Sequence, residues 1–95
     1  MTRPQNIYSV LLKSYQSPYA LDTLATTSYT SYADALENAR QLLIDQQLDH
    51  PNNYDSHSMT AMPNNFNPRQ IDGYQLTDKS GMLTHTATVH TTHLA

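Results

Sequence analysis

Residues 30–49 read TSYADALENARQLLIDQQLD and form the only stretch of this 95-residue chain with a sustained helical period. Set at ~100° per residue, Tyr32, Ala35, Leu36, Ala39 and Leu43 share one face, with Leu42 at its border. Asp34, Glu37, Asn38, Gln41 and Asp45 fall opposite. The pattern predicts an amphipathic helix with a core stripe and an acidic outer face. Ser31 precedes Asp34 by three positions, so its hydroxyl can accept a first-turn N–H while the carboxylate meets the positive end of the helix dipole. Pro51 disfavours helical geometry at the residue before it, which sets the helix end near Leu48 or Asp49.

Working outward toward the amino terminus, residues 21–29 carry Leu21, Ala25 and Tyr29 on one side of an extended chain, with Asp22, Leu24, Thr26 and Ser28 on the other. Before them, Gln16, Ser17 and Pro18 read as a turn. Ile7 to Tyr15 alternates Tyr8, Val10 and Leu12 against Ile7, Leu11 and Tyr15. Apolar groups on both faces suit a central strand. Residues 1–6 are polar, contain Pro4, and are expected to form a frayed lead-in.

Toward the carboxyl terminus, residues 49–68 hold Pro51, Pro63 and Pro68 and five asparagines, and read as a long loop. A short pattern recurs inside it: Pro51-Asn52-Asn53-Tyr54, then Pro63-Asn64-Asn65-Phe66. Asn after Pro favours tight turns, so the loop is expected to treat its two rings alike, both capping the core or both facing a partner. Beyond it, Ile71 to Thr77 and Met82 to Thr92 flank Asp78-Lys79-Ser80-Gly81, a hairpin turn with Gly in the left-handed position. Gly73 is read as a bulge. In the last strand Leu83, Ala87 and Val89 alternate with an outward row of Thr84, Thr86, Thr88, His90 and Thr92.

The fold expectation is therefore a single α+β domain, residues 1–95, of order β-β-α-β-β: one antiparallel sheet with the helix across one face. Leu11 and Leu24 on the other face call for a cover: the long loop, a second copy or a partner.

Composition narrows function. Charged residues make up 14% of the chain, against roughly 25% in ordinary soluble domains. The five cations (Arg3, Lys13, Arg40, Arg69, Lys79) are scattered among eight acids, which offers no footprint for a phosphate backbone. The absence of cysteine excludes disulfides, thiolate metal sites and cysteine nucleophiles. The longest apolar run, Val10 to Leu12, is far short of the ~20 residues a membrane span needs, so a cytoplasmic protein is expected.

His50, His57, His85, His90 and His93 raise the question of metal, but on a strand His90 points away from His85 and His93. No nucleophile with a neighbouring base, carboxylate pair or phosphate loop is present, so neither an enzyme nor a cofactor is expected. The expectation is a non-catalytic binding protein that occupies or blocks a larger protein or ribonucleoprotein. Its contact residues would be Asp34, Glu37 and Asp45 on the helix with Tyr54 and Phe66 in the loop. Small cysteine-free α+β chains of this kind are common among phage and mobile-element proteins, anti-CRISPR inhibitors included. The alternative is a structural or regulatory homodimer formed through the spare sheet face.

Overall fold

A computed structural model of the chain describes residues 5–15, 22–24 and 29–94. The expectations for residues 1–4, the turn at 16–18, and residues 21 and 25–28 of the second strand lie outside them. The elements are β1 (Gln5–Ser14), β2 (Asp22–Leu24), α1 (Tyr32–Asp49), β3 (Met59–Pro63), β4 (Ile71–Thr77) and β5 (Leu83–Leu94). All strands join one antiparallel sheet in the order β2-β1-β5-β4-β3. The α+β class, the single helix and its place on one sheet face are as the sequence implies. Two boundaries differ. Gln5 and Asn6 already pair with Leu94 and His93, so that end of the lead-in belongs to β1. Part of the long loop is a strand, β3, which makes the order β-β-α-β-β-β.

α1 begins where its cap predicts: Ser31 Oγ accepts the Asp34 N–H at 3.4 Å. Ala35, Ala39 and Leu43 are fully buried, and Tyr32, Leu36 and Leu42 pack at their margin. This stripe rests on β5, β1 and β4. It meets Val10, Ala87, Val89 and Leu76, one per pleat from each strand, with Tyr8, Leu12 and Tyr74 around them. Burying a side chain such as Leu43, Leu76 or Val10 contributes about 1.5–3 kcal/mol each, and this packing holds a helix whose last turn has no basic residue to oppose its dipole.

β1 is central, between β2 and β5, because both of its faces carry apolar groups. The turn into β5 is as expected. Gly81 has φ +89°, and Asp78 Oδ1 accepts from the Ser80 N–H, the Ser80 hydroxyl and the Met82 N–H.

Two irregularities shape the rest of the sheet. Leu76 pairs with His85 but Thr77 with Leu83, which leaves Thr84 as an extra residue in β5. Thr84 therefore turns toward the helix side and leaves the expected outward row. Met62 pairs with Gly73 but Pro63 with Ile71, so the bulged residue in β4 is Asp72, not Gly73. Gly73 is needed for another reason: a Cβ there would stand 2.2 Å from the Ala87 carbonyl oxygen of β5.

The long loop does not cover the second sheet face. Its Tyr54 joins the core on the helix side, and β3 widens the sheet as an edge strand.

Candidate binding surface

The recurring Pro-Asn-Asn-aromatic pattern has two opposite outcomes. Tyr54, just past the helix end, is 5% exposed, whereas Phe66, between β3 and β4, is 97% exposed. The divergence lies in what each ring meets. Tyr54 sits over the Thr84 bulge, with its hydroxyl 2.9 Å from Thr84 Oγ1. Thr84 also contacts the Leu76 carbonyl at 3.2 Å and His85 Nδ1 at 3.0 Å. Because a carbonyl only accepts, the single Thr84 proton goes to Leu76, and Tyr54 O–H and His85 Nδ1–H both donate to Thr84. Tyr54, Thr84 and His85 thus form a closed, buried network. Burial, aided by His50 nearby, pushes the His85 imidazole below its ordinary range and holds it neutral. Tyr54, expected among the contact residues, is thus a core residue that leaves only a small part of its surface open.

Phe66 stands on a loop fixed by its own hydrogen bonds. Asn64 Oδ1 accepts from the Phe66 and Asn67 N–H groups at 2.7 and 2.9 Å, and Asn67 Oδ1 accepts from Arg69 N–H at 3.2 Å. Backbone bonds Asn64 N–H to Gln70 O and Gln70 N–H to Asn67 O close it. These are Asx turns, the role that asparagine after proline serves.

The loop is tied to the body through Asp72, which accepts from Asn64 Nδ2 at 2.8 Å and Gln70 Nε2 at 3.3 Å. Tyr32 in the first turn of α1 donates to the Ile71 carbonyl at 2.5 Å, with Asp72 Oδ1 at 3.2 Å. Burial, reinforced by the Asp72 carboxylate and only partly offset by the Gln70 amide, raises the Tyr32 phenol above its ordinary value. Tyr32 also meets Tyr8 edge-on, ring centroids 5.5 Å apart.

The helix acids are exposed along the outer face. Asp34 stands at the end of α1 that holds the Phe66 loop, while Asp45, eleven residues and ~16 Å further on, stands at the other. Glu37 pairs with Arg40 at 3.1 Å and Asp45 accepts from Gln41 at 3.0 Å, contacts that local helix spacing explains. Phe66 and Asp34 therefore share one end of the molecule, with Glu37 one turn along α1 from Asp34, while Asp45 and Tyr54 lie toward the other end.

At the opposite end of α1 an open pocket of about 330 Å³ lies among Leu48, Pro51, Tyr54, Asp55, Ser56 and Met59. Leu48 is 71% exposed at its rim. Of these features, exposed Leu48 and the Asp72 cluster carry no mark in the sequence, whereas the outward threonine row does. The histidine set comes apart: His85 is buried on the helix side, and His90 is exposed on the other, 3.0 Å from Thr88 Oγ1. Among the described residues no three metal-ligating side chains converge, and no helix is long and apolar enough to cross a membrane.

No family model matches this chain, and neither the curated proteins nor the solved structures searched contain a match to it.

Proposed function

We propose that this chain is a non-catalytic binding protein that acts by occupying the surface of a larger macromolecule, with Phe66 as its anchor. The observation that carries the reading is a phenylalanine 97% exposed on a loop whose backbone is already fixed by Asn64 and Asn67. A ring held in place before binding loses little entropy on docking, and interface energy concentrates in such aromatic anchors. The polar clusters support the same reading. Tyr32, Asn64, Gln70 and Asp72 bond one another, as do Tyr54, Thr84 and His85, so their groups build loops and core. Asp34, at the same end of the helix, would set the charge that steers approach.

The test is capture from the native host with wild-type and Phe66→Ala baits side by side, with host-defence ribonucleoproteins among the first candidates probed. Retention by wild type and at least tenfold loss by Phe66→Ala is expected. Equal retention by both baits would remove Phe66 from the interface and overturn the reading.

A further inference from the structure

We infer that the chain pairs with a second copy of itself through the outer edge of β3, each copy setting its Phe66 into the pocket beyond Met59 of the other. This rests on Phe66 being an anchor and names the first partner it meets.

The edge is open and chemically suited to pairing. β3 is the last strand in the sheet order, and among the described residues nothing pairs with its outer side. Its sequence, Met59 to Pro63, contains no charge of the kind that keeps edge strands apart. Thr77 N–H donates to the Ser58 carbonyl at 2.9 Å, and Ser58 continues the β3–β4 register, in which Thr60 faces Gln75 and Met62 faces Gly73. By antiparallel alternation those even positions bond β4, and the backbone of Met59, Ala61 and Pro63 points outward. A two-fold axis at Ala61 then lets the two Ala61 residues exchange N–H to carbonyl bonds, while each Met59 N–H reaches the second copy's Pro63 carbonyl. Pro63, which lacks an N–H, falls where losing one donor costs the least. Such an isologous contact closes at two subunits.

The same register accounts for the two exposed apolar features. Because the pairing is antiparallel, the loop that follows the second copy's Pro63 comes to the Met59 end of this strand, where the pocket among Leu48, Pro51, Tyr54 and Met59 opens. The pocket's 330 Å³ exceeds the about 150 Å³ that holds a benzene ring. Charge agrees with this placement. Asp49 and Asp55 are exposed at the pocket end, and Arg69 is exposed on the Phe66 loop that approaches it. Two phenylalanines burying ~150–250 Å² each, the walls they cover and the paired strands together approach the ~1,000 Å² that a specific interface requires.

Sedimentation equilibrium on the purified full chain tests this, with Phe66→Ala, Arg69→Glu and Ala61→Pro as variants. Ala61→Pro removes an N–H that the β3–β4 register turns away from β4, and Phe66 and Arg69 are exposed, so each variant should keep the wild-type circular dichroism. The expected result is a wild-type mass twice 10.7 kDa at micromolar concentration. Phe66→Ala and Ala61→Pro should weaken association at least tenfold, and Arg69→Glu should weaken it less as salt rises. A wild-type monomer at all concentrations overturns the pairing and leaves the host-capture experiment to decide Phe66 separately. A dimer indifferent to both Phe66→Ala and Ala61→Pro places the contact on another face and overturns it equally.

Discussion

The Tyr54 hydroxyl lies 2.9 Å from Thr84 Oγ1, a side chain that faces the ring only because β5 carries one residue more than β4 at that level. Removing the hydroxyl as Tyr54→Phe should cost about 0.5–1.5 kcal/mol, the net worth of a buried hydrogen bond. Tyr54→Ala should cost about 3–5 kcal/mol, as deletion of a buried ring does. Urea denaturation of both variants reads this; if Tyr54→Ala unfolds at the wild-type midpoint, the ring is not part of the core.

Within α1 the cost of truncation should follow burial. Leu43→Ala removes a fully buried side chain and is expected to cost ~2–5 kcal/mol, half-buried Leu36→Ala less, and exposed Gln41→Ala under ~0.5 kcal/mol. Thermal or chemical unfolding of the three gives the order directly. Equal midpoints would mean that the helix buries a different face.

The legibility of these elements differs for physical reasons. Ser31, the 3.6-residue spacing of Ala35, Ala39 and Leu43, and Pro51 act within a turn or two of the chain, so the helix can be read from its own residues. The Asp78–Gly81 turn is equally local. Met59 to Pro63 has no alternation and ends in a proline, and it becomes a strand because β4 offers it an edge. Thr84 is read as outward by alternation, and only the cross-strand register reveals the bulge that turns it inward. Tyr54 and Phe66 share one local pattern yet differ by burial, since the deciding contacts come from Thr84, thirty residues away. For the surface, the acids and Phe66 are legible as exposed candidates, but the tie from Tyr32 through Asp72 to the Phe66 loop spans forty residues and leaves no local mark.

Stability should fall in mild acid through His85. Its folded-state pKa is depressed by burial and by His50, so the unfolded chain binds the proton more readily. The neutral form's contribution is whole above the ordinary value of 6.5, begins to be lost as pH falls below it, and stops falling below the depressed folded value. Unfolding measured from pH 8 to pH 4 should show that slope, and His85→Asn, whose amide can still donate to Thr84, should flatten it. An unchanged slope in that variant would assign the titration elsewhere.

Asp78 supplies a second step at lower pH. The Ser80 hydroxyl and the Met82 N–H hold its carboxyl below the ordinary 3.8, so its stabilisation is present above that value and lost as pH falls through the lowered one. Asp78→Asn should remove this later loss and leave the His85 step intact; comparison of the two acid titrations checks it.

Gly73→Ala should be among the most damaging small substitutions. The added methyl would stand 2.2 Å from the Ala87 carbonyl and 2.8 Å from Thr88 Cα, both of them backbone. Forcing β4 and β5 apart at the middle of the sheet is expected to cost at least the ~1–3 kcal/mol typical of overpacking. Gly81→Ala meets no neighbour and bears only the strain of its positive φ, about 1–2 kcal/mol. Parallel denaturation curves separate the two, and a milder Gly73→Ala would show that the strands can part without loss.

The pairing of β1 with β5 brings Gln5 beside Leu94 and places β5 between two strands made before it. During synthesis, therefore, β1 and α1 have no β5 to pack on until Leu83–Leu94 has cleared the ribosome. Closing so long a loop before its contacts reward it predicts slow folding that begins only once β5 has emerged. Until then the apolar stripe of α1 and the open side of β1 remain exposed to chaperones, and a chain halted at residue 82 should show no cooperative unfolding at all.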